Sequence, residues 1–113
     1  MKRLLAIAAL LSGLFIQSGV YAEIPDSVVW IDVRAPEEFA TGHLEGAHNI
    51  PHENIAAGVA ALGLEPDTPI YLYCRSGRRS GIASETLGNK GYTNLTNVGD
   101  LENARALAKK AAN

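Results

Sequence analysis

The chain has 113 residues, a formal net charge of −2 and a single cysteine. This length allows one domain, and the mildly acidic balance gives no reason to expect nucleic acid or an anionic membrane as a partner. A single cysteine also excludes an internal disulfide framework, so its thiol is either buried and inert or free and reactive.

The first segment is typical of a secretory signal peptide. A basic start at Lys2 and Arg3 is followed by an interrupted apolar run and by small residues up to Ala22. The interruptions disfavour a stable membrane anchor, because a spanning helix needs about 20 predominantly apolar residues. We predict a signal peptide over residues 1–22, a mature domain over residues 23–113, and export, to the periplasm if the host is Gram-negative.

The rest of the chain alternates apolar segments of strand type with segments of helix type. Strands are predicted at residues 28–33, 47–50, 70–73 and 94–98. Helices are predicted to start at Ala35, at Asn54, at Arg78 or Arg79, and at Leu101. Strands separated by helices need crossover connections, so we predict an α/β fold, a single domain with a parallel sheet flanked by helices on both faces.

Local patterns add details to these helices. Asn54 is the expected N-cap of the second helix, and Gly63 is expected to end it. The predicted inner face of the third helix consists of Ile82, Ala83, Thr86 and Leu87. That of the last helix consists of Leu101, Ala104, Leu107, Ala108 and Ala111.

The strongest local feature is the segment from Tyr73 to Ser80, between a predicted strand and a predicted helix. Carboxyl ends of parallel strands border the ligand crevice, so Cys74 is expected where substrates bind. Backbone N–H groups at a helix start and nearby arginines lower the pKa of a thiol and attract anions. We therefore predict a reactive Cys74 in an anion-binding loop formed by Arg75, Ser76, Gly77, Arg78 and Arg79.

This loop resembles the active-site loop of the rhodanese family, in which six residues lead from a nucleophilic cysteine into a helix. Other segments agree in family order: Asp32-Val33-Arg34, Glu37-Glu38-Phe39, Gly42 to Pro51, Gly91-Tyr92 and Asn97-Val98-Gly99. The chain is most similar to single-domain exported members. It departs from many members at Asp100, where they have a second glycine, and in its short segment before Val28.

The resemblance implies a sulfurtransferase. Cys74 would be the catalytic residue that takes sulfur from a small anionic donor such as thiosulfate and holds it as a persulfide. Arg75, Ser76, Gly77, Arg78 and Arg79 would form the substrate-binding cradle. The acceptor would be cyanide, a thiol or a protein, and the reaction needs no cofactor and no metal.

Two other classes stay open. A cysteine phosphatase would carry an arginine after five intervening residues, whereas this chain has Ser80 at that position. A sulfur or redox relay, or a binding module for a protein partner, would share the same loop. A metal site at His43, His48 and His52 is disfavoured, because their spacing matches no standard zinc pattern. Asp32 and Arg34 are expected to brace the loop rather than to catalyse.

Overall fold

The computed structural model describes residues 27–112, and its centre is a sheet of four parallel strands. The strands are β1 (Val29–Asp32), β2 (His48–Asn49), β3 (Ile70–Cys74) and β4 (Leu95–Asp100). The helices are α1 (Pro36–Ala40), α2 (Ile55–Leu62), α3 (Arg78–Asn89) and α4 (Leu101–Ala112), and a 3-10 turn (His52–Asn54) precedes α2. The predicted α/β class is confirmed.

The strand order is β2-β1-β3-β4, so β3 pairs with β1 on one side and with β4 on the other. From β1 the chain runs outward to β2 and then returns past β1 to form β3. The order of strands therefore reverses between β1 and β3, and ligands of open parallel sheets bind outside the carboxyl ends at such a reversal. Cys74 is the last residue of β3 and lies at this edge.

Apolar side chains form a core on each face of the sheet. On one face, α2 and α3 cover a cluster that includes Ile31, Leu72, Val59 and Leu87. On the other face, a smaller cluster is formed by Leu44, Tyr73, Val98 and Ala104, with partly buried residues of α4 packed against it. Helices on both faces leave the carboxyl edge of the sheet as the free side for a ligand site.

Two predicted details of the helices are wrong. Ile82 is 42% exposed, because the buried row of α3 consists of Ser80, Ala83 and Leu87. Ala111 is exposed as well, near the end of α4, beyond the part of the helix that reaches the sheet. The predicted N-cap of α2 is confirmed at Asn54, although its side chain makes no capping hydrogen bond.

Gly58 packs closely against Ile50, the residue that follows β2. A Cβ atom at this position would lie 2.4 Å from Cγ2 of Ile50, closer than carbon atoms pack. We expect Gly58→Ala to destabilise the fold by about 1–3 kcal/mol, because overpacking outweighs the better helix propensity of alanine. The midpoint of urea unfolding measures this change.

Gly88 in α3 provides the matched control. Its added Cβ would lie 3.9 Å from Cδ1 of Leu95, which is an ordinary contact. Gly88→Ala should therefore stabilise the helix by about 0.5–1 kcal/mol. Equal effects of the two substitutions would contradict the packing argument.

The predicted signal peptide over residues 1–22 lies outside the residues that the structure describes. Between residues 27 and 112, no helix combines the length and the apolar character that crossing a bilayer requires.

Candidate active site

The loop after β3 turns sharply into α3. Gly77 is the N-cap of α3 and has a φ of +99°, a backbone conformation that side chains with a Cβ rarely adopt. Cys74 and Ser80 are buried at the two ends of this turn, whereas Arg75, Ser76 and Arg78 are exposed. The chain therefore wraps around the cysteine and presents its polar loop residues to solvent.

The Cys74 sulfur sits among hydrogen-bond donors. The backbone N–H of Gly77 donates to Sγ at 3.0 Å, and Oγ of Ser80 lies 3.5 Å from Sγ. Burial raises the pKa of the thiol, but hydrogen bonds from the Ser80 side chain and from the backbone of Ser80, Ser76 and Gly77 outweigh it. The net effect lowers the pKa of Cys74, as the sequence predicted, and favours the nucleophilic thiolate.

The three arginines of the loop differ in their surroundings. Arg79 is partly buried and forms a bidentate ion pair with Glu38 of α1, at 2.7 and 3.0 Å. Arg75 and Arg78 are exposed beside the turn. Arg79 thus ties the first turn of α3 to α1, and the two exposed arginines present cationic groups to solvent.

Glu38 is the partner that sequence reasoning missed. Its Oε1 also accepts the backbone N–H of Ala35 at 2.9 Å, and the Arg79 guanidinium lowers the pKa of Glu38 to about 2. Glu38 belongs to the Glu37-Glu38-Phe39 segment that resembles the family, but that resemblance indicates no partner. The pairing joins residues 41 positions apart, so only the fold could reveal it.

This ion pair should make stability depend on pH. A folded pKa of about 2 lies below the ordinary carboxyl value of about 4.3, so the stabilisation is complete above pH 4.3 and is lost as pH falls through about 2. We expect Glu38→Gln to lower the free energy of unfolding by about 1–3 kcal/mol at pH 7, between the values for exposed and buried pairs. Near pH 2 the difference from the wild type should nearly vanish.

Urea unfolding at a series of pH values measures the effect of Glu38→Gln. The variant keeps a carbonyl oxygen that can accept the Ala35 N–H, so it isolates the charge. Glu37→Gln is the matched control, because Glu37 is exposed on the same helix. A difference between the wild type and Glu38→Gln that does not change with pH would contradict the assignment.

Asp32 and Arg34 form a second ion pair at the end of β1, and it is buried. Nη2 of Arg34 donates to Oδ2 of Asp32 at 2.6 Å and to the carbonyl of Gly42 at 2.7 Å. The guanidinium also lies 5.7 Å from the centre of the Tyr73 ring. Within residues 27–112, the side-chain hydrogen bonds of this pair reach Gly42 rather than the loop. The ion pair therefore supports the segment after α1 at Gly42, and it contacts Tyr73, the residue before Cys74.

The far side of the loop is held by Asn97 of β4. Its Nδ2 donates to the carbonyl of Gly77 at 2.9 Å, and its Oδ1 accepts the Ser80 hydroxyl at 2.7 Å. From the sequence, Asn97 is only part of a segment that resembles the family.

Asp100, the departure from the family pattern, accepts the backbone N–H of Asn103 at 2.8 Å in the first turn of α4. It therefore acts as a helix cap there.

The histidines take part in local contacts. His43 stacks on the Phe39 ring with the centroids 3.6 Å apart, and its Nδ1 lies 2.8 Å from the Phe39 carbonyl oxygen. His52 lies 3.1 Å from Glu53, and His48 is exposed on β2. Among the described residues, no three metal-ligating side chains come together.

Comparison with known proteins identifies the class. The family model of the rhodanese-like domain matches residues 18–104 of the chain. The chain therefore belongs to the rhodanese-like family and is a sulfurtransferase of the rhodanese type, as the resemblance of its segments to the family implied.

Individual relatives agree with this assignment. The chain is 40% identical over 73 residues to the thiosulfate sulfurtransferase PspE of Escherichia coli, covering 65% of this chain and 70% of PspE. It is 43% identical over 68 residues to the uncharacterized protein YqhL of Bacillus subtilis, covering 60% of this chain and 52% of YqhL. The chain thus spans only about half of YqhL.

Solved structures share the fold. A rhodanese with anions from E. coli superimposes with a TM-score of 0.64 at 38% identity, covering 67% of this chain and 89% of that one. The Rhodanese_3-like domain of the Alr3790 protein from Anabaena gives a TM-score of 0.62 at 26% identity, covering 71% and 92%.

Proposed function

We propose that this protein is a thiosulfate sulfurtransferase in which Cys74 carries sulfur as a persulfide. The observation that carries the proposal is the position of Sγ at the start of α3, 3.0 Å from the backbone nitrogen of Gly77. A thiolate there is stabilised by fixed donors and needs no general base. PspE, which is named a thiosulfate sulfurtransferase, supports thiosulfate as the donor.

In the first half-reaction, the Cys74 thiolate attacks the outer sulfur of thiosulfate. A bond forms between Sγ and that sulfur, the sulfur–sulfur bond of thiosulfate breaks, and sulfite leaves with the electron pair. The exposed side chains of Arg75 and Arg78 attract the dianion. Backbone N–H groups of the loop then surround the negative outer sulfur of the persulfide.

In the second half-reaction, an acceptor removes the outer sulfur. Cyanide or a thiolate attacks that sulfur, the persulfide bond breaks, and the electron pair returns to Sγ of Cys74 as a thiolate. With cyanide the product is thiocyanate. Donor and acceptor visit in turn, so the kinetics are ping-pong and require neither a metal nor an organic cofactor.

A relay that delivers sulfur to a protein or a larger thiol is the second candidate. An open groove of about 560 Å³ borders the loop at Ser76 and extends along β4 and α4, past Asp100 and Asn103. This groove offers more space than cyanide needs. The relay differs from the first candidate only in the acceptor, so both use the Cys74 persulfide.

A phosphatase is disfavoured by the residue at the end of the loop. The position that holds an arginine in cysteine phosphatases is occupied by Ser80, which is buried and lies 3.5 Å from Sγ. The neighbouring Arg79 is engaged by Glu38. Stabilisation of a tetrahedral phosphate would need a cation at the position of Ser80.

The signal segment supports a proposal of export to the periplasm. Cleavage after Ala22 would leave a mature chain that begins at Glu23. The intact mass of protein recovered from the producing cells tests this proposal, and an unprocessed chain in the cytoplasm would overturn it.

The mass of the purified protein also tests the function. Thiosulfate should add one sulfur atom, and cyanide should remove it as thiocyanate. An unchanged mass, with Cys74 freely alkylated, would refute thiosulfate as the donor. Hydrolysis of a phosphate ester would overturn the sulfurtransferase proposal.

A further inference from the structure

Asn97 lies where β4 departs from regular pairing. Leu72 of β3 pairs with Asn97, but the next residue, Tyr73, pairs with Gly99, so β4 contains a bulge. A bulge bends its strand and changes the direction of a side chain. The Asn97 amide contacts Gly77 and Ser80 of the Cys74 loop, although Asn97 itself is a surface residue.

Three hydrogen bonds fix the orientation of the Asn97 amide. Nδ2 donates to the carbonyl of Gly77 at 2.9 Å, and Oδ1 accepts the N–H of Gly99 at 3.0 Å. Oδ1 also lies 2.7 Å from Oγ of Ser80. A flipped amide would set donor against donor at Gly99 and acceptor against acceptor at Gly77. Oδ1 is therefore a fixed acceptor beside the Ser80 hydroxyl.

The Ser80 hydroxyl has one proton and three acceptors within reach. They are Oδ1 of Asn97 at 2.7 Å, the carbonyl of Gly77 at 3.2 Å and Sγ of Cys74 at 3.5 Å. Only one of them can receive the proton at a time. Asn97 is the nearest acceptor, but a thiolate is the stronger one because it is charged.

We propose that Asn97 is a positioning residue whose Oδ1 accepts the hydrogen bond of the Ser80 hydroxyl while Cys74 is neutral and releases that hydroxyl, which keeps its proton, to donate to Sγ when the thiolate forms. The inference rests on the proposed persulfide cycle. In the thiol and in the persulfide, Sγ carries little charge, so Ser80 donates to Asn97. In the thiolate, the hydroxyl rotates toward Sγ, and Asn97 keeps its bond from Gly99. The Ser80 hydroxyl thus changes its hydrogen-bond acceptor, between Oδ1 of Asn97 and Sγ of Cys74, once in each half-reaction.

The charges around Cys74 are the other determinants of its ionisation. The surrounding elements contribute Arg75, Arg78 and Arg79 of the loop and α3, Glu38 of α1, Asp32 and Arg34 of β1, and Asp100, which pairs with Cys74 on β4. Asn97→Ala alters none of these charges. The substituted position is also at the surface, so the variant is expected to fold.

The test is the pH dependence of Cys74 alkylation, after cyanide has removed any bound sulfur. In Asn97→Ala, the Ser80 hydroxyl of the neutral state can donate only to the Gly77 carbonyl, at 3.2 Å, which is a weaker bond than the one to Asn97. Rotation of the hydroxyl toward the thiolate then costs less free energy. We expect the pKa of Cys74 to fall by about 0.5–1 unit. In a Ser80→Ala background, the same substitution should have no effect. Asn94→Ala, another surface asparagine of the segment that enters β4, is the matched control.

A purely structural role for Asn97 predicts the opposite result. Loss of the bond to the Gly77 carbonyl would loosen the N–H groups around Sγ, and the pKa would rise equally with or without Ser80. A rise, an unchanged value, or equal shifts in both backgrounds would overturn the proposal. If Ser80→Ala does not fold, the sign of the Asn97→Ala shift alone decides. Alkylation needs no sulfur donor, so this outcome is separate from failure of the proposed function.

Discussion

Replacement of Cys74 by serine is expected to abolish sulfur transfer, with a loss of at least about 10³-fold in kcat/KM for thiosulfate. A serine hydroxyl stays protonated at neutral pH, and its oxygen cannot form a persulfide. Serine is close to cysteine in size, so it fits the buried position, and the Gly77 N–H can donate to oxygen as well as to sulfur. The measurement is thiocyanate formation from thiosulfate and cyanide.

Ser84→Ala is the matched control for the cysteine variant. The Ser84 hydroxyl is buried in α3 and has no hydrogen-bond partner among the described residues, so its removal should leave turnover unchanged. Both variants should show the circular dichroism of the wild type. Substantial turnover by Cys74→Ser would mean that another group is the nucleophile.

Replacement of Arg34 by methionine is expected to cause the largest loss of stability. Asp32 is fully buried, and Arg34 supplies the hydrogen bonds to both of its carboxylate oxygens. Arg34→Met would leave the carboxylate without its cation, at a cost of about 3–5 kcal/mol. Domains are commonly stable by only about 5–15 kcal/mol, so the urea midpoint should fall markedly.

A second substitution tests whether the buried charge causes this loss. In the double variant Asp32→Asn, Arg34→Met, no charge is left at the site, and part of the stability should return. Arg105→Met, which alters an exposed arginine, should change the unfolding free energy by less than about 0.5 kcal/mol. If the double variant were no more stable than Arg34→Met, lost packing rather than charge would explain the effect.

The parts of the fold that depend on neighbouring residues could be predicted from the sequence. β3 is an apolar run of five residues, and Cys74 follows from it directly as the residue at the carboxyl edge. The parallel sheet follows from alternating strands and helices. The predicted inner face of α3 includes Ile82 and leaves out Ser80, whereas the buried row of the helix includes Ser80. The buried row includes that serine because its hydroxyl contacts Asn97 and lies near Sγ.

The contacts that shape the site depend on distant residues and could not be predicted. Glu38 and Arg79 are both charged residues on helices, and each alone would suit a solvated surface. Their pairing requires α1 and the start of α3 to meet at one edge of the sheet. The reach of Asn97 depends on a bulge in β4, which appears only in the pairing with β3. Hydrophobic periodicity carries no information about either contact.

The surroundings of Cys74 form only when the newly made chain folds. The donors that acidify Cys74 come from the turn and from α3, and Asn97 comes from β4, which follows later in the sequence. These groups surround the sulfur once the turn and α3 have formed and β4 has paired with β3. Before that, Cys74 has the ordinary thiol pKa of about 8.5 and is mostly protonated at neutral pH. Chemical reactivity thus appears together with the folded state, and a nascent chain carries a comparatively inert cysteine.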